Sequence, residues 1–250
     1  RVIHLPSAST VVYCGIGINA GSRQEQQGEE GLAHFCEHTT FKGTRQRSSL
    51  QILNCLESVG GDLNAFTNKE DTIFYAAVQK EHFQRAVDLL TDIVFCSEYP
   101  EHEIDHEKDV ICDEIESYND SPAELIYDEF ENLLFQGHPL GHNILGTREQ
   151  VLQFTSSDAQ RFTARYYRPE NAIFFVYGDV NFNRLVKSLE VRGEKLHLPS
   201  PIPQHTSSIL HPSSESHLPS NTHHQAHVML GCKAFAWDDA RRMPLYLLNN

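Results

Sequence analysis

The sequence predicts an α+β fold, with extended strands and amphipathic helices interspersed over residues 1–195. Residues 2–20 contain two Val- and Ile-rich segments around a Pro-Ser turn, which is typical of two strands. The segment "DLNAFTNKEDTIFYAAVQ" has the pattern of a strand pair joined near Asn68 and Lys69. Several stretches between and after these strands carry apolar residues at helical spacing. We therefore expect a sheet with helices packed against it.

The predicted helices have recognisable start and stop signals. Residues 48–61 begin with Ser and end at Gly-Gly, with apolar residues at helical spacing between them. A later helix begins at Ser121 and Pro122, with Ser as the N-cap and Pro in the first turn. The full set of predicted helices is 28–42, 48–61, 80–95, about 101–118, from 121 onward and 155–167, and residues 171–180 are predicted to form a buried strand.

The composition is that of a soluble globular protein. The chain has 250 residues, of which 40% are apolar and 22% are charged. No apolar run approaches the roughly 18 residues that a transmembrane helix needs. Six cysteines occur without any C-x-x-C pair, and several lie in apolar patterns. We interpret them as buried free thiols, which favours a reducing compartment such as the cytoplasm.

The net charge of −14 at pH 7 limits the classes of partner. Proteins that bind nucleic acid need a basic surface for the phosphates, so this charge argues against a nucleic-acid partner. An acidic surface favours cationic partners, including basic peptides, although the same charge also keeps a protein soluble.

The composition changes after about residue 195. Residues 196–223 are rich in Pro, Ser and His without sustained periodicity, which predicts a linker. Residues 224–237 then have a strand pattern, and residues 238–250 begin a helix at an Asp cap. We therefore expect one domain over 1–195, a linker, and the start of an incomplete second domain over 224–250.

The strongest chemical signal is the stretch "GLAHFCEHTTFKGT". On a helix, His34 and His38 are four residues apart and lie on one face, so both imidazoles can reach one ion. Glu37 directly precedes His38 and borders that face, where it can reach a metal-bound water without ligating the metal. The alternative is that these are solvated polar residues that share one helix turn. The presence of Glu37 makes the motif the inverted zincin signature, H-x-x-E-H.

Segments in order along nearly the whole chain extend this signal. The motif lies between "INAGSRQE" and "LESVGGDLNAFTNKEDTIFYAAV". Then follow "HEKDVICDEIESYNDSPAELIYDEF", "YYRPENAIFFVYGDV" and "HHQAHVMLGCKAF". In these segments the chain resembles the M16 peptidases, the inverzincin family of mitochondrial processing peptidase, insulin-degrading enzyme and bacterial processing-peptidase-like proteins. It departs from the family at Cys36, Thr39 and Thr40, beside the ligands, and the ligand types remain intact.

The resemblance implies a fold and a metal set. The implied fold is an antiparallel β-sheet flanked by helices, of the LuxS and processing-peptidase type, with residues 1–195 as the zinc-binding N-terminal domain. It implies one Zn²⁺ per chain, held by His34, His38 and Glu114. Glu107, two helical turns before Glu114, would support a ligand histidine. Without the resemblance, a solvated residue on the face of a charged helix is the better explanation of either glutamate.

The resemblance also implies an activity and a substrate site. The activity is hydrolysis of peptide bonds in extended, basic peptides by a zinc-activated water, with Glu37 as the general base. Asn64 and Ala65 would lie on an edge strand to which the substrate adds as a further strand, although a Gly-Gly turn into an ordinary hairpin is the alternative. The side chains expected to read the substrate are Phe41, after the zinc helix, and the carboxylates Glu124 and Asp128, which could equally be exposed charges.

A different function class remains open, because M16-like proteins include non-catalytic structural subunits. Such a subunit has no need of His34, Glu37, His38 and Glu114 together, and this set therefore favours a zinc metalloendopeptidase. The expected partners are a peptide substrate and a second M16-like domain or subunit, in a homo- or heterodimer. In the family, that second domain contributes to substrate binding. We therefore expect low activity from this chain alone.

Overall fold

The computed structural model describes residues 1–193, 226–236 and 238–249. Five strands form one sheet in the order β1-β5-β2-β4-β3. Three of the four neighbouring pairs are antiparallel, as expected from the resemblance. The strands are β1 (Val2–Pro6), β2 (Val11–Ile18), β3 (Asp62–Thr67), β4 (Thr72–Gln79) and β5 (Ala172–Gly178).

One pair departs from the expected antiparallel sheet. Strand β1 runs parallel to β5, with Val2 opposite Phe174 and Pro6 opposite Gly178. The reason is the chain path: β2 is antiparallel to β5, and β1 enters on the far side of β5 rather than beside β2. The predicted strand pair around Asn68 and Lys69 is confirmed as the antiparallel pair β3–β4.

Nine α-helices occur within the described residues. Seven of them were predicted from the sequence, whereas α6 and α8 were missed. Helix α6 has only six residues, too few for a clear period, whereas α8 carries apolar residues at helical spacing (Phe182, Leu185, Val186 and Leu189) that the prediction overlooked. The helices are α1 (Leu32–Thr40), α2 (Ser49–Glu57), α3 (Phe83–Cys96), α4 (Glu101–Asn119), α5 (Pro122–Leu134), α6 (Arg148–Gln153), α7 (Ser156–Tyr166), α8 (Phe182–Gly193) and α9 (Arg242–Asn249).

The strand predicted over residues 224–237 is wrong for the part that the structure describes. Residues 226–236 have no regular secondary structure, and Val228 and Leu230 are 81% and 91% exposed. A strand requires a backbone partner, and no described segment pairs with these residues. The helix expected after them is present as α9. The predicted linker over 196–223 lies outside the described residues.

The hydrophobic core lies on the helix-covered face of the sheet. Inward residues alternate along β2 and β4, where Cys14, Ile16, Phe74 and Ala76 are almost fully buried, and α3 packs across both strands. No side chain would fit at Gly15 of β2, because a Cβ there would lie 2.3 Å from the Phe175 ring. No helix within the described ranges combines the length and apolarity needed to cross a membrane.

The cysteines and the edge strand test two further predictions. All six cysteines are free, as predicted; three are buried, two are half-buried, and Cys232 is exposed. Strand β3 pairs only with β4, so it is an edge strand of the described sheet, as the resemblance implied. Helix α1 packs against β3, α4 and α7, which places the H-x-x-E-H motif beside this edge.

Candidate metal centre and peptide cleft

Helix α1 brings the two motif histidines together. It starts after Gly31, whose positive φ of 94° turns the chain into the helix. His34 and His38 lie one turn apart, and their ring centroids are separated by 4.5 Å. Both imidazoles therefore face the same point beside α1, as the four-residue spacing predicted.

Helix α4 adds the carboxylate of Glu114 to this point. Its Oε2 lies 3.2 Å from His38 Nε2 and 3.6 Å from His34 Nε2. Within the described residues, these three side chains are the one His, Cys, Asp or Glu group whose ligand atoms all lie within 4.8 Å of one another. Two imidazole nitrogens and one carboxylate are a donor set that suits zinc.

Glu107 lies two turns earlier on α4 and supports His38 from the other side. Its Oε1 is 2.9 Å from His38 Nδ1, while its Oε2 forms an ion pair with Lys42. Burial alone raises the pKa of Glu107, but hydrogen bonds from His38 and Lys42 outweigh it and lower the pKa. The ionised carboxylate therefore orients the His38 ring so that Nε2 points at Glu114.

The two histidines differ in electrostatic environment. Burial, followed by the nearby charge of His38, lowers the pKa of His34 to about 4, so its ring is neutral at pH 7. Burial also disfavours the charged form of His38, but hydrogen bonds to Glu107 and Glu114 prevail and raise its pKa to about 9. His34 Nδ1 is buried without a hydrogen-bond partner among the described residues. The other ring nitrogen, Nε2, faces Glu114.

Glu37 lies beside the ligand group but not in it. Thr67, the last residue of β3, donates a hydrogen bond of 2.6 Å from Oγ1 to Glu37 Oε2. Burial raises the pKa of Glu37, and the Thr67 hydrogen bond reduces that shift. The neighbouring Cys36 is fully buried in the core on another side of α1, and burial raises the pKa of its thiol. A buried thiol with a raised pKa suits packing rather than nucleophilic attack.

A cleft of about 670 Å³ opens over these residues. Most of the residues predicted to bind substrate line it, including Phe41, Asn64, Ala65 and Asp128. Glu124 is not among the lining residues: its side chain is exposed, and its backbone carbonyl accepts a hydrogen bond from the Tyr118 hydroxyl. The structure thus brings nine of the ten predicted site residues to one cleft and leaves Glu124 at its margin.

Other residues of the cleft gave no functional signal in the sequence. Thr67 reaches Glu37 from a strand whose turn signals predicted only a hairpin. Lys42 lies two residues beyond the end of α1 and forms an ion pair with Glu107, a contact that helical spacing does not predict. Three residues between α5 and α6, Asn143 to Leu145, line the cleft from a loop without periodicity.

Comparison with known proteins gives the family of each part of the chain. Residues 1–148 match the profile of a family described as insulinase (peptidase family M16). Residues 153–250 match a second profile, described as the peptidase M16 inactive domain.

Curated relatives of the chain include bacterial proteins named as uncharacterised zinc proteases. One from Bacillus subtilis is 33% identical over 96% of this chain and 58% of its own length. One from Streptomyces coelicolor is 34% identical over 98% of this chain and 54% of its own length. The chain therefore spans a little over half the length of these relatives.

Solved structures support the fold. A protease from Helicobacter pylori superposes with a TM-score of 0.78 at 25% identity, covering 84% of this chain and 51% of that one. The periplasmic protease PqqL from Escherichia coli gives a TM-score of 0.76 at 24% identity, covering 84% of this chain and 24% of that one. This similarity concerns the fold.

Proposed function

Because this chain belongs to peptidase family M16, we propose that it supplies the zinc-binding active site of an endopeptidase acting on extended, basic peptides. The observation that carries this proposal is the meeting of His34, His38 and Glu114 at one point, with Glu37 beside it. The names of the relatives agree with zinc-dependent proteolysis.

The three residues would hold one zinc ion through His34 Nε2, His38 Nε2 and a Glu114 carboxylate oxygen. The buried Nδ1 of His34, without a described partner, and the Glu107 contact to His38 Nδ1 are consistent with both Nε2 atoms serving as ligands. Zinc in such a site supplies Lewis acidity, which lowers the pKa of water and polarises a peptide carbonyl. Glu107 and Lys42 would keep His38 oriented for this purpose.

Glu37 would act as the general base. Glu37 Oε2 accepts a hydrogen bond from Thr67, so Oε1 would accept the proton of the attacking water. Glu37 would then deliver that proton to the leaving amine.

The peptide would lie along β3. As an edge strand, β3 offers backbone groups to a further strand, and these give affinity with little dependence on substrate sequence. Phe41 would contact the residue after the scissile bond. A basic side chain would lie near Asp128, which lines the cleft, and Glu124, which lies at its margin.

The cleft would be completed by a second M16-like domain or subunit. The length of the relatives beyond the matched region supports this part of the proposal. The domain division at about residue 195 and a second domain from about 224 belong to the same proposal. A non-catalytic partner subunit is the alternative function, and retention of both Glu37 and the ligand group argues against it.

Substitution of Glu37 by Gln tests the chemistry separately from the metal. Glu37→Gln should retain zinc, since Glu37 is outside the ligand group, and should reduce hydrolysis of a fluorogenic peptide by roughly 10²–10⁴-fold. Metal content and peptide cleavage are measured on the same sample. The matched control is Glu116→Gln, an exposed carboxylate on α4 that should change neither. Undiminished cleavage by Glu37→Gln would assign the base to another group.

A further inference from the structure

A buried carboxylate, Glu25, caps the helix that carries the two histidines. The first amides of a helix have no partner within it, and the N-cap residue Gly31 has no side chain with which to satisfy them. Glu25 Oε2 accepts from Gly31 N at 3.1 Å, and Oε1 accepts from Ala33 N at 2.7 Å. The side chain of Glu25 is fully buried, so these bonds are shielded from water.

The same carboxylate fixes the loop between α5 and α6. His142 Nε2 lies 2.7 Å from Glu25 Oε2, and the His142 carbonyl accepts a hydrogen bond from Lys69 at the β3–β4 turn. His142 directly precedes Asn143–Leu145, which line the cleft. One side chain thus joins the start of α1 to a wall of the cleft.

Backbone packing makes this junction tight. Gly31 and Gly146 both have positive φ angles, of 94° and 70°. A Cβ on Gly31 would lie 2.7 Å from the Leu145 carbonyl oxygen, and one on Gly146 would lie 2.4 Å from the Glu30 carbonyl oxygen. The loop therefore lies directly against the first turn of α1, where no side chain fits between them.

We propose that Glu25 and His142 are positioning residues that hold the 143–145 wall of the cleft in register with the two histidines of α1. They do not touch the reacting atoms. Their role is to keep the wall and α1 at a constant separation when a peptide enters, which reduces the ordering that binding would otherwise require. The peptide ligand in this inference rests on the proposed function, whereas the junction itself does not.

Hydrogen exchange tests the junction without reference to activity. Leu145 N and Gly146 N are bonded within the loop, to the Asn143 side chain and carbonyl, and report on its order. His142→Asn should speed exchange at these amides by about tenfold or more and leave Ala33 unchanged, whereas Glu25→Gln should speed exchange at both places. The control His102→Asn changes an exposed histidine of α4 and should alter neither. Native exchange at Leu145 and Gly146 in both variants would overturn the inference.

Peptide affinity then separates positioning from a merely structural cap. In zinc-loaded protein that also carries Glu37→Gln, a fluorescein-labelled, arginine-containing peptide is titrated by anisotropy. His142→Asn should weaken its binding by about fivefold or more at unchanged zinc content. Unchanged affinity despite faster exchange would overturn the positioning role. Failure of the Glu37→Gln parent to bind zinc or peptide would instead contradict the proposed function, while the exchange result would still decide the junction.

Discussion

Two pairs of a buried carboxylate and a half-buried histidine lie at the two ends of α1, and they differ in which of their nitrogen and oxygen atoms remain free for a ligand. At the start of the helix, both oxygens of Glu25 face N–H donors from Gly31, Ala33 and His142. Towards the end, Glu107 bonds His38 through Nδ1 at 2.9 Å, and His38 Nε2 is left facing Glu114 and a second imidazole.

Residue types alone do not distinguish the candidate metal site from a structural contact. Both pairs combine the same two side chains at hydrogen-bond distance and are packed on the same helix. What distinguishes the pair at His38 is a second histidine and a second carboxylate that converge on its remaining nitrogen. At Glu25, the backbone amides of Gly31 and Ala33 bond the carboxylate oxygens, and no metal-ligand group among the described residues includes His142, so that pair holds structure together instead.

Removal of one histidine from each pair is the strongest test of this difference. His38→Ala should abolish stoichiometric zinc binding, because it removes one of three protein ligands. His142→Asn should keep one zinc per chain, since His142 takes no part in the ligand group. Metal analysis after gel filtration measures both. Zinc retained by His38→Ala, or lost from His142→Asn, would reverse the roles assigned to the two pairs.

Replacement of the carboxyl group by an amide in each pair should give a smaller effect on zinc binding. Glu107→Gln should weaken zinc binding by about 10–100-fold, because loss of the charge behind His38 lowers the basicity and the order of that ring. Glu25→Gln, the matched change at the other end of α1, should change the zinc affinity by no more than about twofold. Competition with a chelating dye measures both affinities. Equal weakening in the two variants would mean that Glu107 acts only through the packing of α1.

The pH dependence of the unfolding free energy tests the environment of Glu25. Burial raises the pKa of Glu25 from 4.5 to about 7, although hydrogen bonds from His142 and from the amides of Ala33 and Gly31 oppose that rise. Between these values the folded state holds a proton that the unfolded state has lost, so stability falls as pH rises. The expected slope is about 1 kcal/mol per pH unit from pH 5 to 7.

Urea unfolding of the parent protein and of Glu25→Gln over this pH range measures that contribution. The difference in unfolding free energy between the two proteins should change with the stated slope, because the amide introduced by the substitution has no titrating proton. A constant difference across pH 5 to 7 would place the titration of Glu25 outside this range.

The carboxylates of α5 should give the smallest effect, because they are the least buried. Asp128→Asn should reduce cleavage of arginine-containing peptides by about two- to fivefold relative to neutral ones, as expected for a partly exposed ion pair. Adding Glu124→Gln should change little more, since Glu124 lies outside the cleft lining. Paired peptides that differ only in Arg or norleucine provide the measurement. An equal loss on both peptides would exclude charge recognition by Asp128.

The part of the site that could be predicted is local in sequence. His34, Glu37 and His38 share one turn of α1, and Glu107 and Glu114 share one face of α4, so helical period and resemblance together identified them. Thr67 and Asn143–Leu145 reach the cleft through tertiary packing, and no local period marks them. Glu25 likewise acts through backbone amides six and eight residues away, a contact that depends on the path of the loop before α1.

The elements of the fold likewise divide into those that local sequence predicts and those that depend on tertiary packing. The β3–β4 pair and the capped helix α2 follow from local signals, since turn residues and a capping box lie beside the elements that they delimit. The parallel pairing of β1 with β5 joins residues more than 170 positions apart and leaves no local trace. The strand expected after residue 224 had the composition of a strand but has no backbone partner among the described residues.

The edge strand β3 also bears on solubility. An edge that accepts a peptide as a further strand also exposes its amides to other copies of the protein, which is the usual origin of sheet-to-sheet aggregation. On β3, the Ala65 amide is covered by the Asn64 side-chain oxygen at 2.8 Å, and the strand opens with the charged residue Asp62. A side-chain cover of this kind is reversible, so it shields the edge from accidental pairing between copies yet yields to a ligand that supplies several backbone bonds at once.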